Sequence, residues 1–90
     1  MREVRLRPRI DNHDLEAKTR LARKLLNGGD KVKVTVMFRG REITHPDIGL
    51  RLLQRMTESL KEAASLERQP AMDGKRMIVI LSPVAVQKTK

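Results

Sequence analysis

A two-layer α/β (α+β) sandwich of order β-α-β-α-β-β is the fold this sequence predicts, with two helices packed on one face of a four-stranded mixed sheet. Three observations predict it. In residues 31–42, Val32, Val34, Val36 and Phe38 recur at a period of two, with Lys31, Lys33, Thr35, Met37 and Arg39 between them. That is the pattern of a strand with one face on a core and the other wet. Two further stretches repeat apolar residues at spacings of three and four, as helices with one buried face do. Finally, Asp73-Gly74 separates two strand-like segments and is the strongest short hairpin signal in the chain.

The elements follow in order. Glu3-Val4-Arg5-Leu6-Arg7 alternates and meets Pro8, which cannot continue a ladder inside a sheet. It reads as a short first strand with Val4 and Leu6 inward, and Arg9 follows in the connecting loop. Asp11 or Asn12 can cap the first helix, over about 14–26. Leu15, Ala22, Leu25 and Leu26, with Leu21 beside them, form its apolar arc, and Arg20, Arg23 and Lys24 point outward. Asn27-Gly28-Gly29 supplies a left-handed stop. The central strand then ends in an arginine-flanked turn at Gly40, where the lack of a Cβ lets the backbone bend or approach a ligand.

Thr44 or His45 starts the second helix, with Pro46 in its first turn and Asp47 at the positive end of the dipole. Ile48, Leu52, Met56, Leu60 and Ala63 form its stripe, and Glu58 and Glu62 can pair with Arg51 and Arg55 along the helix. From Ser65, alternation returns, and Pro70 marks an edge strand. Met77-Ile78-Val79-Ile80-Leu81 reads as a buried strand ended by Ser82-Pro83. Residues 84–90 read as a flexible basic tail. The open face of the sheet would carry Arg5, Arg7, Lys31, Lys33, Thr35 and Arg39, a polar and cationic surface.

At 90 residues the chain holds one domain. Its 20 lysines and arginines against 11 acids give a formal charge of +9. Such an excess favours a polyanion, nucleic acid first and an anionic membrane surface second, over a protein that is merely basic. The absence of cysteine excludes disulfides and thiolate metal sites. Without an apolar run of spanning length or a signal-like start, the chain reads as cytoplasmic. Phe38 is its single aromatic residue, which excludes base stacking on aromatic platforms. Contacts to nucleic acid fall instead to arginine and lysine.

Enzyme chemistry finds little support. His13 and His45 each stand at a helix start beside an acid, a capping or surface arrangement, because neighbours on a helix do not converge on one point. Ser59, Ser65 and Ser82 lack a base, and Gly28-Gly29 is a helix stop rather than a phosphate loop. Met56, Met72 and Met77 read as core filler, with Met37 on the wet face. Arg39 and Arg41 differ from other cations because they flank a tight turn with Glu42 as the only nearby acid. Arginine matches phosphate with two parallel hydrogen bonds, so both read as phosphate contacts.

At Lys33-Val34-Thr35-Val36-Met37-Phe38-Arg39-Gly40-Arg41-Glu42, then Ile43-Thr44-His45 and Ile48-Gly49, the sequence resembles the C-terminal domain of bacterial translation initiation factor 3. Glu3-Val4-Arg5-Leu6-Arg7-Pro8 is similar to that domain's opening strand, and Gly29-Asp30-Lys31-Val32-Lys33 to the approach to its second. Asp73-Gly74-Lys75-Arg76-Met77 and Leu81-Ser82-Pro83 resemble its closing hairpin. The likeness runs collinearly over residues 2–83, which it marks as a single ribosome-binding domain. It implies a βαβαββ sandwich that binds the small ribosomal subunit through its ribosomal RNA, on the platform side near the P site. It further implies that the domain blocks large-subunit joining and favours complexes with initiator tRNA and a proper start codon. The family's RNA-contacting arginines fall on Arg7, Arg20, Arg39, Arg41 and Arg55, with lysines at Lys24 and Lys75, and Gly40 belongs to the same turn. Lysine keeps the charge but loses the bidentate fork. Leu15 stands where the family often has tyrosine. The resemblance implies a cytoplasmic monomer, with no enzyme activity, metal, cofactor or membrane partner. The complete factor has an N-terminal domain and a lysine-rich linker outside these 90 residues, which implies an isolated domain or a shortened form. A generic basic module for structured RNA is the alternative.

Overall fold

Strand β2 (Val32–Met37) lies inside a four-stranded sheet of order β1-β2-β4-β3, between β1 (Arg2–Leu6) and β4 (Arg76–Pro83), with β3 (Ala64–Asp73) at the edge. The computed structural model describes residues 1–40 and 44–84. β1 runs parallel to β2, with Val4 opposite Val34 and Leu6 opposite Val36. A parallel pair needs a crossover, supplied by helix α1 (Asn12–Asn27). β2 and β4 are antiparallel, with Val34 opposite Val79, and β3 and β4 form the hairpin. Helix α2 (Pro46–Ser59) connects β2 to β3. This is the two-layer βαβαββ arrangement the periodicities predict.

The core lies between the sheet and the two helices. Val4 and Leu6, Val32, Val34, Val36 and Phe38, and Met77, Val79 and Leu81 supply the sheet's share, all buried. Leu15, Ala22 and Leu26 descend from α1, and Leu52, Leu53 and Met56 from α2, with Leu60 at its C-cap. Each fully buried valine or leucine contributes about 1.5–3 kcal/mol, so the period-two pattern of β2 is decisive for the layer. Ile48 departs from the expected stripe: it is exposed, and Leu53 and Gly49 take the inward positions. Gly49 faces the Phe38 ring so closely that a side chain would not fit. Met72, expected as core filler, is also exposed, on the edge strand.

The helix ends behave as their capping chemistry dictates. Asp11 is the N-cap of α1, its Oδ1 accepting from the Asp14 N–H at 2.8 Å. At the other end, the Gly29 N–H donates to Leu26 O and the Asp30 N–H to Leu25 O, with Gly29 at φ 93°. Those paired bonds satisfy last-turn carbonyls and require a residue that tolerates positive φ. In α2, His45 occupies the N-cap position without a side-chain capping bond, and Pro46 opens the helix. The hairpin turn is Gly74-Lys75, one residue later than Asp73-Gly74, because Asp73 still pairs with Arg76 in the ladder. Gly74 takes φ 65° there. Two register shifts interrupt β3, one before and one after Arg68, and Pro70 falls in the second.

The open face of the sheet is less uniformly cationic than its β2 residues predict. Ile78 and Ile80 are half-buried on it, opposite Thr35 and Lys33. Thr35 itself is 1% exposed, and its hydroxyl donates to Glu3 Oε2 at 2.9 Å. A central strand is covered by neighbours on both sides, which closes over a short side chain even on an open face. Met37 remains exposed, as expected. The Val84 N–H donates to Ala63 O at 3.1 Å, and the rest of the expected tail, residues 85–90, lies outside the described residues.

Candidate functional site

The parallel pairing of β1 and β2 brings their C-terminal ends together, and the antiparallel partner β4 begins at that same end. Leu6 pairs with Val36, Met37 pairs with Arg76, and the Phe38 N–H donates to Lys75 O at 2.8 Å. Arg7, the Arg39-Gly40 turn and Lys75 therefore converge on one end of the sheet, although 68 positions separate the first and last of them in the sequence. All four residues are exposed. Gly40 makes its turn without positive φ, and among the described residues nothing would meet a Cβ there. Arg41, expected as a phosphate contact, lies outside the described residues, as do Glu42 and Ile43. Both helices also begin at this end, with Asp14 and Asp47 in their first turns. Those acids answer the positive helix ends, and they keep this end from being uniformly cationic.

A second group of expected residues meets where the helices touch. Arg20, Arg23 and Arg55 line a groove of about 310 Å³ between α1 and α2, floored by Leu15 and Met56. Arg55 Nη1 donates to Asn12 Oδ1 across the helices at 3.2 Å. That bond replaces the expected pairing of Arg55 with Glu58 or Glu62. Glu58 instead lies 3.2 Å from Lys61 Nζ, and Glu62 lies 3.1 Å from Arg23 Nη2. Arg23 also donates to Ser59 O at 2.7 Å, so it does not simply point outward. Tertiary contact overrides intrahelical pairing here because a neighbouring helix supplies better-placed acceptors. Lys24 stands in the last turn of α1, exposed, and is not among the residues lining the groove.

Ion pairs sort the surface cations. Among the described residues, Arg5 pairs with Glu3, Lys31 with Glu67 and Arg76 with Asp73. None of these carboxylates takes up Arg7, Arg20, Lys24, Arg55 or Lys75. The Glu3 carboxyl is held below its usual range, chiefly by the Thr35 hydroxyl and then by Arg5. Glu67 is lowered likewise, first by the Ser82 hydroxyl and then by Lys31. Both acids therefore stay ionised and offset Arg5 and Lys31 on the open sheet face, while Arg7 and Lys75 at the sheet end, and the three groove arginines against Glu16, carry excess positive charge. Among the described residues no cluster of histidine and acid side chains could hold a metal ion. Such a surface can bind phosphates by charge-assisted hydrogen bonds. Sequence reasoning missed Asn12 and Arg23 as parts of the groove, since nothing in helical periodicity indicates which neighbour a side chain will meet.

Residues 1–84 match the family model described as the C-terminal domain of translation initiation factor IF-3. Translation initiation factor IF-3 of Leptospira biflexa is 51% identical over 84 residues, covering 93% of this chain and 45% of that protein. That of Methylorubrum extorquens is 51% identical over 83 residues, covering 92% of this chain and 48% of the relative. That of Caulobacter vibrioides is 46% identical over the same shares. The chain spans about half the length of these curated relatives. A match running through every strand and helix, at such identity, leaves one conclusion: the chain belongs to the family of the C-terminal domain of translation initiation factor IF-3.

Proposed function

We propose that this chain acts in translation initiation by binding the small ribosomal subunit through its ribosomal RNA. In doing so it hinders joining of the large subunit and supports selection of initiator tRNA and start codon. The observation that carries this reading is the convergence of Arg7, Arg39, Gly40 and Lys75 on one end of the sheet, in a chain of this family. Arg41, Arg20, Lys24 and Arg55 complete the proposed RNA-binding set. Folded RNA is recognised by shape, phosphates and 2′-hydroxyls, which suits cations without stacking aromatics. The mechanism is steric: the domain covers RNA that the large subunit must touch, and no covalent step, metal or cofactor is needed. Residues 1–83 form the ribosome-binding unit, 84–90 a basic tail, and the chain works as a cytoplasmic monomer. No described helix is long and apolar enough to cross a membrane.

Cosedimentation with isolated small subunits, large subunits and bulk structured RNA tests the reading, together with light scattering during subunit reassociation. Selective small-subunit binding that slows reassociation, and is lost in Arg39→Ala/Arg41→Ala, is the expected result. Equal binding to every RNA with no effect on reassociation would reduce the chain to a generic basic RNA binder.

A further inference from the structure

The α1–α2 groove contains a cation with an unusual environment. Arg23 reaches from α1 to the end of α2, where its Nη2 donates to Ser59 O and approaches Glu62 Oε1. The last turn of α2 contains no basic residue of its own, so the negative end of its dipole is answered from the other helix. Arg23 Nε is buried and has no hydrogen-bond partner among the described residues. A buried donor without an acceptor is unfavourable, so the Nη2 contacts must hold this pose against that cost. Glu62 largely cancels the charge of Arg23, and Arg20 and Arg55 together outweigh Glu16, the one acid lining the groove. Arg55 is aimed by the neutral Asn12, which orients its guanidinium without neutralising it.

We propose that Arg23 is a positioning residue that clamps α2 to α1 and so sets the groove width at which Arg20 and Arg55 grip one RNA phosphodiester together. The inference rests on the ribosomal-RNA reading above and adds to it a shared ligand for two arginines and a role for a third. The apolar floor of Leu15 and Met56 strengthens charge-assisted bonds by lowering the local dielectric. Two forks on one phosphate lose more than half their worth when either is removed, so their contributions are coupled. Splayed helices would leave each arginine with its own weaker contact, and the coupling would vanish.

The test is a double-mutant cycle of Arg20→Ala and Arg55→Ala, reading affinity for isolated small subunits at fixed salt. It is run in the wild-type chain and again in Arg23→Met, which keeps the aliphatic stem and loses the donors. In the wild-type chain the double variant should bind at least about threefold tighter than the product of the single losses predicts. In Arg23→Met the discrepancy should fall to unity, and Arg23→Lys, which can still donate to Ser59 O, should restore part of it. Should Arg23→Met fail to fold, Arg23→Lys and Glu62→Ala carry the comparison, with coupling reduced in the first and retained in the second. Coupling that is equal in all backgrounds overturns the positioning role. If neither Arg20→Ala nor Arg55→Ala weakens binding, the RNA reading of this groove itself fails, which is a separate outcome.

Discussion

Replacing Gly49 by alanine tests how the core is tied to the end of β2. A Cβ at Gly49 would lie 2.5 Å from Phe38 Cζ and 3.3 and 3.4 Å from the adjacent ring carbons. Ordinary contact begins near 3.4 Å, so helix or ring must move by roughly 1 Å. The ring is 5% exposed, and its own backbone N–H is held by Lys75 O at 2.8 Å, so it has little room to retreat. In an open helix position, glycine to alanine gains about 1 kcal/mol. Overpacking a filled core costs about 1–3 kcal/mol, and the rigid ring places this site toward the upper part of that range. The expected net loss is about 1–2 kcal/mol, lowering the melting midpoint by about 4–8 °C for each kcal/mol lost. Thermal and urea unfolding would measure it, with an unchanged urea m-value as the sign that only stability has moved. Phe38→Leu should cost less in the Gly49→Ala background than in the wild type, because the smaller side chain relieves the clash. A Gly49→Ala chain as stable as the wild type, or additive costs for the two changes, would refute close packing as the reason for glycine here. Because Phe38 directly precedes Arg39 and Gly40, the displaced ring should also weaken RNA binding while the chain remains folded.

Three further outcomes follow from particular contacts. Gly29→Ala should destabilise by about 1–2 kcal/mol because its φ of 93° is hostile to a Cβ, whereas Gly28→Ala at φ −81° should be neutral or mildly stabilising in the same melts. The Glu3 carboxyl is held below its ordinary value of about 4.5, so its contribution to stability is complete above that pH and is lost as pH falls through the lower folded value. Thr35→Val removes the largest cause of that depression, and an NMR titration should find the Glu3 carboxyl shifted upward, with a flatter loss of stability below pH 4.5; an unmoved titration would contradict the assignment. For Arg20→Ala/Arg55→Ala, which together release the shared phosphate, the slope of log affinity against log salt should become shallower by roughly 0.7–0.9, the share of one phosphate contact. An unchanged slope would restrict Arg55 to joining α2 to Asn12.

Most of the fold is legible in the chain because burial imposes period. Val32, Val34, Val36 and Phe38 must share a face whatever surrounds them, and Gly29 and Gly74 mark backbone positions that few other residues tolerate. The departures arise where a tertiary neighbour decides. Ile48 has the right spacing for the stripe of α2, yet the close approach of Gly49 to Phe38 rotates the buried face toward Leu53. Thr35 alternates with valines as an outward residue should, but flanking strands close over it and its hydroxyl finds Glu3. Arg55 has Glu58 at helical spacing yet takes the Asn12 oxygen that the other helix brings close, and Arg23, which periodicity turns outward, reaches Ser59 O. Likewise, nothing local brings Arg7 and Lys75 to one end of the sheet; the parallel β1–β2 and antiparallel β2–β4 registers do.

The distribution of acids is what turns a basic composition into a directional surface. With 20 cations against 11 acids, an even spread would attract any polyanion from every side. Instead Glu3, Glu67 and Asp73 sit against Arg5, Lys31 and Arg76, cations carried by the sheet's ladder or its approach. Exposed pairs of this kind add little stability, about 0–1 kcal/mol each, so their main physical effect is to quiet the surface they occupy. Arg7 and Lys75 at the sheet end, and Arg20 and Arg55 in the groove, stay outside those pairs. Asn12 holds Arg55 with a neutral oxygen. A rigid RNA surface approaching the chain would thus be drawn toward that end and that groove more than toward the partly neutralised sheet face. Reversing the sort should reverse the direction. Glu3→Gln with Glu67→Gln raises the net charge by two while leaving every proposed RNA contact intact. If charge placement governs binding, this pair should increase nonspecific RNA binding more than small-subunit binding, narrowing the ratio of the two affinities; a proportional rise in both would mean that net charge alone is read.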